Sequence, residues 1–325
     1  MSRLSFLFRT DTHVSDKSPA SWKGDYPSEI WSNLEEIGRL ARQYEVNSVL
    51  DGGDFFHVKS ATRNSHSIVE KAARIHRDYP CPVHCIEGNH DIAYNNLDSL
   101  SKQPLGVLYA SRVFQHLREE VFRDGNLQVR VVGVPYAPAR ALEDMYRIRK
   151  KPGDTHLIAV VHALASKDPP PNVEDFFGEP VFRYESLVRR DGPDVFMFGH
   201  WHRDQGVEEI KGKHFVNQGA VSRGALIREN LERRPQVAHI EIDGGDIAIK
   251  LIPLSVAPAE DVFDLDRKAA EEREHHDIDQ FVKRLLTDVS FDTEATIQEN
   301  IRSLDFAHDV RQEALRYFEL AEAKT

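Results

Sequence analysis

The stretch from Asp51 to His57, with the sequence DGGDFFH, constrains the fold of this chain more than any other. An apolar run from Val46 to Leu50 leads into it, which is typical of a buried strand. Two glycines then allow the backbone to turn sharply. The pattern predicts that Asp54 and His57 project from the carboxyl end of that strand. Because Gly-Gly-Asp is also an ordinary turn, the significance of the stretch depends on what else reaches the same place.

Four other stretches place metal-ligand residue types directly after an apolar strand. They are Asp11-Thr12-His13, Asn89-His90-Asp91, His162 and Gly199-His200-Trp201-His202. Ligands of open sheets gather beyond the carboxyl ends of the strands, so all five stretches can converge on one crevice. Carboxylate, imidazole and amide groups without thiolate suit manganese, iron or zinc. There are too many for one catalytic ion. They divide into two sets with a shared carboxylate, and two ions about 3.5–4 Å apart can clamp a phosphoryl centre.

The order of apolar segments predicts an α/β fold. The first part of the chain alternates between strands and helices. It consists of strand 4–9, helix 28–44 with Ser28 as its cap, strand 46–50, a second helix with Ile68, Ala72 and Ile75 on one face, and strand 82–86. Further strands are predicted at 129–134, 157–161, 195–198, 215–216, 237–242 and 247–252. About ten strands exceed what one open sheet comfortably holds, so we expect two packed sheets with helices outside. Segment 163–190, which contains three consecutive prolines, is predicted to be a long exposed excursion.

Taken together, these motifs resemble the signature of the calcineurin-like metallophosphoesterases over about residues 4–253. The resemblance implies a four-layer α-β-β-α sandwich over residues 1–256. Amphipathic stripes between Ile278 and Phe318 predict that a helical C-terminal extension, 257–325, follows it and packs on the chain or binds a partner. The resemblance also implies one metal held by Asp11, His13, Asp54 and His202, and a second held by Asp54, Asn89, His162 and His200. Asp54 would bridge two divalent ions, with Mn²⁺ preferred and Fe, Zn or Mg as alternatives. His90 would stabilise charge on the phosphate or protonate the leaving oxygen, and Asp91 would orient His90.

The sequence GGDFFH is similar to the Gly-Gly-Asp-x-x-His of SbcD-type DNA repair nucleases, in which the second histidine, here His57, helps to position the DNA backbone. The protein phosphatases of the superfamily instead have Asp at the position of His57 and Glu at that of Asp91. In the SbcD branch, the C-terminal tail contacts an SMC-like ATPase, and the predicted helical extension of this chain would suit such a contact. The sequence departs from that branch at two places. It has no Leu-Gly after His13, and residues 217–220 are NQGA instead of a Pro/Thr-Gly-Ser turn. These departures fit a divergent or phage-encoded relative.

We therefore expect a DNA nuclease in which a metal-bridging hydroxide attacks a phosphodiester in line. A small-molecule phosphodiesterase or nucleotide pyrophosphatase would use the same metals. A pocket closed by segment 163–190 would favour it, whereas an open groove lined by Lys and Arg would favour DNA. A lipid-related pyrophosphate hydrolase is a further alternative, although the sequence has no obvious apolar cap. A non-catalytic scaffold is the alternative from another class, but none of the ligands is missing.

Charge and hydropathy limit the partners. The net charge of −11 argues against a simple DNA-binding module, although bound metals and local basic loops can reverse the sign at a nuclease site. No apolar run approaches the roughly 20 residues of a membrane span, and the N-terminus resembles a first strand rather than a signal peptide. These features predict a cytoplasmic protein with no membrane partner. DNA, an SMC-like ATPase subunit and a second copy of the chain are the expected partners.

Several residues outside the motifs have two interpretations. Trp22, between Lys17 and Lys23, either stacks on a base or packs on the protein. Arg223 either reaches a phosphate or is solvated. The two cysteines, Cys81 and Cys85, are predicted to be reduced residues at a buried strand, because no second pair exists to complete a zinc site. Five histidines are predicted to be ordinary surface or core residues: His76, His84, His116, His156 and His239.

Overall fold

The computed structural model describes residues 2–266, 311, 312 and 315. The chain divides into two compact units, Met1–Phe263 and Asp264–Thr325. The amphipathic helices predicted between Ile278 and Phe318 lie outside the described residues, apart from 311, 312 and 315, which are helical. Within the described part of the chain, no helix combines the length and apolar character that crossing a bilayer requires.

The first sheet consists of six strands. They are β1 (Arg3–Arg9), β2 (Ser48–Asp51), β3 (Val83–Cys85), β4 (Gln115–His116), β13 (Gln236–Asp243) and β14 (Asp246–Pro253), in the spatial order β14-β13-β1-β2-β3-β4. Strands β1 to β4 are parallel, whereas β13 pairs antiparallel with both β1 and β14. The parallel part therefore brings the carboxyl ends of β1, β2 and β3 to one edge.

The second sheet also has six strands and is arranged in the same way. They are β5 (Glu119–Asp124), β6 (Leu127–Val134), β7 (His156–His162), β10 (Val195–Gly199), β11 (Gly206–Ile210) and β12 (Lys213–Asn217), in the order β11-β12-β10-β7-β6-β5. The four inner strands are parallel, and the two edge strands are antiparallel to their neighbours. Two further strands, β8 (Ala165–Ser166) and β9 (Phe182–Arg183), form a separate parallel pair.

The helices lie between the strands in sequence, except the last, which follows β14. They are α1 (Tyr26–Gln43), α2 (His66–Arg77), α3 (Pro104–Ala110), α4 (Ala141–Arg147), α5 (Val173–Phe177), α6 (Tyr184–Leu187), α7 (Arg228–Glu232) and α8 (Ala259–Val262), with short 3₁₀ helices at Ala61–Arg63 and Leu97–Lys102. The prediction that Ser28 caps α1 is wrong. Asp25 is the cap, and its carboxylate accepts hydrogen bonds from both the backbone N–H and the hydroxyl of Ser28. The first turn also contains Pro27, which is favoured there because it has no N–H to satisfy.

The two sheets pack face to face and the helices cover their outer faces. Alternate residues of β1, Leu4, Phe6 and Phe8, contact buried residues of the second sheet such as Val131 and Ile158. The opposite face of the first sheet packs against α1, α2 and α3, and the outer face of the second sheet packs against α4 and α6. This arrangement confirms the predicted four-layer α-β-β-α sandwich.

Segment 163–190 differs from the prediction of an exposed excursion. The β8–β9 pair, α5 and α6 give it structure of its own, and residues such as Ala165, Phe182 and Leu187 are buried. The apolar residues at both ends of the segment attach it to the second sheet. Only its middle, around α5, projects from the protein, which brings that helix to the edge of the sheet where the strands end.

Candidate metal centre

Five strand ends bring the predicted ligands to one edge of the sandwich. Asp11 and His13 follow β1, Asp54 follows β2, and Asn89 follows β3 in the first sheet. From the second sheet, His162 is the last residue of β7, and His200 and His202 follow β10. Because both sheets present carboxyl ends at this edge, residues as far apart in sequence as Asp11 and His202 meet there.

One group of side chains consists of Asp11, His13, Asp54 and His202. Their ligand atoms all lie within 4.8 Å of one another. The Nε2 atoms of His13 and His202 are 2.9 Å apart, and His13 Nε2 is 3.7 Å from Asp54 Oδ2. His202 Nε2 lies 3.6 Å from Asp11 Oδ1. These are the four residues that the resemblance assigns to the first metal.

A second group shares Asp54 with the first and adds His162 and His200. His162 Nε2 lies 3.6 Å from Asp54 Oδ2. One side-chain amide atom of Asn89 lies 3.0 Å from Asp54 Oδ2, 3.2 Å from His200 Nδ1 and 3.3 Å from His162 Nε2. With the amide oxygen on this side, and once His162 Nε2 has lost its proton, all the converging atoms are acceptors. A cation fits such an arrangement.

Hydrogen bonds behind the two imidazoles of the second group determine which ring nitrogen faces it. Nδ1 of His162 donates to the carbonyl oxygen of Gly52 at 2.7 Å, so Nε2 is left for the centre. Nε2 of His200 contacts Glu179 Oε2 at 3.1 Å, so Nδ1 faces Asn89. A ligand histidine usually donates its other N–H to a carbonyl or carboxylate, which fixes its tautomer and orientation. Both histidines follow this rule.

The ionisable groups of the cluster shift one another's pKa values. Burial raises the pKa of Asp11 to about 7, even though the positive charge of His162 lowers it. Burial opposes the ionisation of Asp54 too, but the charge and hydrogen bond of His162 outweigh it and hold the Asp54 pKa well below its usual range. The pKa of His162 is correspondingly raised to about 9 by Asp54, against the effect of burial. Burial lowers the pKa of His13, so this imidazole is neutral, as a metal ligand must be.

The backbone at the centre is strained. Asp11, His13, Asp54 and His200 all have positive φ, between 50° and 92°. Glycine could adopt these conformations easily, but glycine has no ligand atom. Glycine does occur where the two loops approach each other most closely, because a Cβ on Gly88 would lie 2.1 Å from Asp54 Oδ1. The strain is concentrated at residues whose side chains converge, which is typical of functional sites.

The other predicted catalytic residues, His90, His57 and Asp91, lie beside the ligand groups. The rings of His57 and His90 stack with centroids 5.5 Å apart, and both approach His13. Nδ1 of His90 donates to the backbone oxygen of His57 at 2.5 Å, and the backbone N–H of His90 donates to Asp54 at 2.7 Å. His90 is therefore oriented by the backbone of the loop that carries His57.

The prediction that Asp91 orients His90 stays a prediction, because the hydrogen bonds of the Asp91 side chain are made with the backbone. The buried carboxylate of Asp91 accepts hydrogen bonds from the backbone N–H groups of Gly88, Phe55 and Phe56. These bonds join the loop after β3 to the loop after β2. Asp91 therefore fixes the two ligand-bearing loops against each other.

Two residues of the site were not found from the sequence, Glu179 and Tyr136. Glu179 contacts His200 through Oε2 and accepts a hydrogen bond from the Tyr136 hydroxyl through Oε1, at 2.6 Å. Tyr136 follows the end of β6, so the rule that functional residues follow strand ends applies to it. Glu179 lies in segment 163–190, where no local pattern distinguishes it from other acidic residues.

The residues with two interpretations lie away from the centre. Trp22 packs on the protein: its ring contacts Tyr26 and Phe263, and its N–H donates to the carbonyl of Arg223. Arg223 neither reaches the centre nor is solvated, because it is buried in an ion pair with Glu29. Cys81 and Cys85 are free thiols, as expected. The five histidines predicted to be ordinary residues lie outside the ligand groups: His76, His84, His116, His156 and His239.

Chemically, the donor set fits two divalent cations. It offers carboxylate, imidazole and amide groups in two adjacent sets with one shared carboxylate, and no thiolate. The shared residue, Asp54, faces both sets through one carboxylate oxygen, since its Oδ2 lies 3.7 Å from His13 Nε2 and 3.6 Å from His162 Nε2. The histidines beside the sets, His57 and His90, leave a polar rim at which an anionic substrate can bind.

Comparison with known proteins gives a match to one protein family. The family model of the calcineurin-like phosphoesterases matches residues 4–204. No curated protein matches the chain. Among solved structures, TT1561 of Thermus thermophilus has a TM-score of 0.47 and 12% identity, over 77% of this chain and 99% of that one.

Two other solved structures are similar at the same level. The calcineurin-like phosphoesterase YfkN from Bacillus subtilis has a TM-score of 0.42 and 14% identity, over 79% of this chain and 93% of that one. The sulfate thiohydrolase SoxB of Thermus thermophilus has a TM-score of 0.44 and 13% identity over 77% of this chain. The chain spans 56% of the SoxB structure.

Proposed function

Because this chain belongs to the calcineurin-like phosphoesterase family, we propose that it hydrolyses phosphodiesters with two divalent metal ions and that its substrate is DNA. The observation that carries the proposal is the pair of adjacent ligand groups that share Asp54, with the imidazoles of His57 and His90 at their rim. A phosphomonoesterase would need the same metals. The second rim histidine, His57, is what favours a diester of the SbcD type.

The proposed ligands are Asp11, His13, Asp54 and His202 for one ion, and Asp54, Asn89, His162 and His200 for the other. When bound, the ions would polarise the phosphoryl oxygens and lower the pKa of a bound water. Mn²⁺ is the proposed metal, with Fe, Zn and Mg as alternatives, because oxygen and imidazole donors accommodate all of them.

The protein's own contribution would come from the rim. Since Nδ1 of His90 is engaged by the His57 carbonyl, Nε2 is the nitrogen available to a substrate. There it can donate a hydrogen bond to a phosphoryl oxygen or a proton to the leaving-group oxygen. The exposed imidazole of His57 is parallel to that of His90 and can contact the next phosphate along a strand.

A second candidate is a small nucleotide phosphodiester, such as a cyclic nucleotide or a dinucleotide polyphosphate. The specific observation in its favour is the cavity at the centre, into which segment 163–190 contributes Phe176 and Phe177 and which has one basic residue, Arg203, on its wall. An open groove of lysines and arginines would have favoured DNA more strongly. Trp22 and Arg223 no longer support either substrate, because both are buried in the protein.

The ATPase partner is proposed from the resemblance alone. An SMC-like ATPase subunit is proposed from the similarity to the SbcD branch, and residues 257–325 are the segment proposed to bind it. A homodimer is also proposed, and a cytoplasmic location is proposed from the hydropathy and the N-terminal pattern of the sequence. Sedimentation of the purified chain, alone and with a candidate ATPase, would measure both association states.

The test is hydrolysis of bis-p-nitrophenyl phosphate and of DNA with Mn²⁺. Asp54→Ala should abolish both Mn²⁺ binding and hydrolysis, because the shared ligand is lost; an active variant would contradict the dinuclear proposal. His57→Ala should reduce DNA cleavage more than cleavage of the small ester. Equal losses on the two substrates would argue against a nuclease and in favour of a small phosphodiester.

A further inference from the structure

A cavity of about 520 Å³ extends from the candidate metal centre toward α5. One end is formed by the centre itself, including Asp54, His90 and His200. The other end is formed by side chains for which the proposed chemistry has no role: Phe176, Phe177, Arg203, Ile227 and Glu229. This volume is within the range of pockets that bind small organic groups. The cavity can therefore hold part of a substrate beyond its phosphate.

The far end of the cavity has an aromatic wall. Phe176 and Phe177 pack edge to face, with ring centroids 5.0 Å apart, and the Phe177 ring lies 5.9 Å from Trp201. Trp201 is buried against Leu164 and holds the wall in place. Phe176, by contrast, is 82% exposed. Single exposed apolar residues are common, but this one lies on a wall that continues into the centre.

The rim of the aromatic wall is polar. Within the described part of the chain, the exposed side chains of Arg203 and Glu229 make no hydrogen bond or salt bridge, so both can pair with a ligand. An alkyl chain would gain nothing from these groups. A nucleobase would use all of them, because its faces stack on aromatic rings while its edges carry hydrogen-bond donors and acceptors.

We infer that the Phe176–Phe177 wall binds an unpaired nucleobase next to the scissile phosphodiester. The substrate is then a nucleotide phosphodiester whose base is free to leave its own stack, since a base inside a duplex presents no face to a side chain. This inference rests on the proposed phosphodiesterase function and specifies its substrate class.

The test compares two esters with the same leaving group, thymidine 5′-(p-nitrophenyl phosphate) and methyl p-nitrophenyl phosphate, in the presence of Mn²⁺. The intact protein should prefer the nucleoside ester in kcat/KM. Phe176→Ala should lower that preference about tenfold, mainly through KM, which is within the range that stacking of one base provides. Because Phe176 is exposed, its removal does not threaten the fold.

Three further variants test the specificity of the effect. Phe176→Tyr should keep the preference, whereas Phe176→Leu should lose it, because leucine keeps apolar surface but cannot stack. Leu142→Ala, at an exposed apolar position on α4, is the matched control and should keep the preference. Saturation-transfer NMR with thymidine 5′-monophosphate in chelator gives a second readout, in which the base protons should lose saturation in Phe176→Ala.

The outcomes separate the two proposals. If the intact protein hydrolyses neither ester, the phosphodiesterase function is wrong, and the NMR contact with the base alone decides whether the wall binds nucleobases. If it hydrolyses both esters equally well, the function stands and the nucleobase site is overturned. A preference that survives Phe176→Leu would also overturn the site, since it would show a general apolar contact.

Discussion

Glu179 should determine the affinity of one metal position and not of the other. Its Oε2 lies 3.1 Å from His200 Nε2, and the two side chains are only 18% and 11% exposed, so solvent screens their interaction weakly. The contact fixes His200 with Nδ1 toward Asn89 and Asp54. Removing such a partner of a metal-binding histidine typically lowers metal affinity about 10- to 100-fold. At about 1.4 kcal/mol per tenfold, this is roughly 1.4–2.7 kcal/mol, similar to one hydrogen bond to a charged group.

The measurement is calorimetric titration of the metal-free protein with Mn²⁺, which resolves two binding events. Glu179→Ala should weaken the event that involves His200 and leave the other, at His13 and His202, unchanged. Glu179→Gln should cost less, because its amide oxygen still accepts from His200. Glu185→Ala is the control, since it is an acidic residue of the same segment and, among the described residues, its ion pair is with Lys211 at the surface.

Two results would refute this reasoning. If Glu179→Ala bound both ions with wild-type affinity, the contact with His200 would be incidental. If both affinities fell together and thermal unfolding shifted to lower temperature, Glu179 would stabilise segment 163–190 as a whole. Only a selective loss, with an unchanged unfolding temperature, supports a residue that positions His200.

Three other variants test catalysis and stability. His90→Ala should still bind Mn²⁺ in calorimetry, but its turnover of bis-p-nitrophenyl phosphate should fall about 10²–10⁴-fold, which is the usual contribution of a positioned proton donor. Loss of Mn²⁺ binding would instead identify His90 as a metal ligand. Asp51→Ala should lower the free energy of unfolding in urea by about 3–5 kcal/mol, because it leaves Arg9 buried without its 2.7 Å partner; a small loss would mean that Arg9 finds other partners. Burial disfavours the ionised form of Asp194, but hydrogen bonds from Lys150 and Lys213 outweigh this effect and lower the Asp194 pKa from its usual value of 3.8. The ionised carboxylate therefore stabilises the fold above about pH 3.8, and this stabilisation is lost as the pH falls further. When the free energy of unfolding in urea is measured at a series of pH values, Asp194→Asn should reduce its fall at acid pH.

The sequence predicted those parts of the molecule that depend on strong local patterns. The strand into Asp54, the helix that became α1 and the two-sheet sandwich follow from apolar periodicity, which is a property of neighbouring residues. The grouping of Asp11 with His202 was also predictable, because both follow parallel strands and parallel strands end at one edge. The resemblance supplied how the ligands divide between the metals.

Contacts between distant loops could not be predicted in this way. The partners of Asp91 are backbone N–H groups, which carry no residue-specific signal, so the sequence did not indicate these contacts. Glu179 approaches His200 only because segment 163–190 folds back on the second sheet through Ala165 and Phe182. Arg223 illustrates the same limit: a basic residue after a strand resembles a phosphate ligand until its burial against Glu29 is seen.

The strained ligands show why the centre departs from local sequence rules. A non-glycine residue with positive φ costs of order 1–3 kcal/mol, and four of the proposed ligands adopt it. The hydrogen bonds that hold them there are made by the backbone: the N–H of Asp11 donates to Gly53, and that of His13 donates to Asp54. The fold thus imposes a conformation that these residues would not adopt alone, and it does so only where their side chains converge. A structural role would be served better by glycine at each of these positions, because glycine avoids the cost. The side chains present at these positions carry ligand atoms instead, which supports the proposal that two cations shared through Asp54 bind here and compensate for the strain.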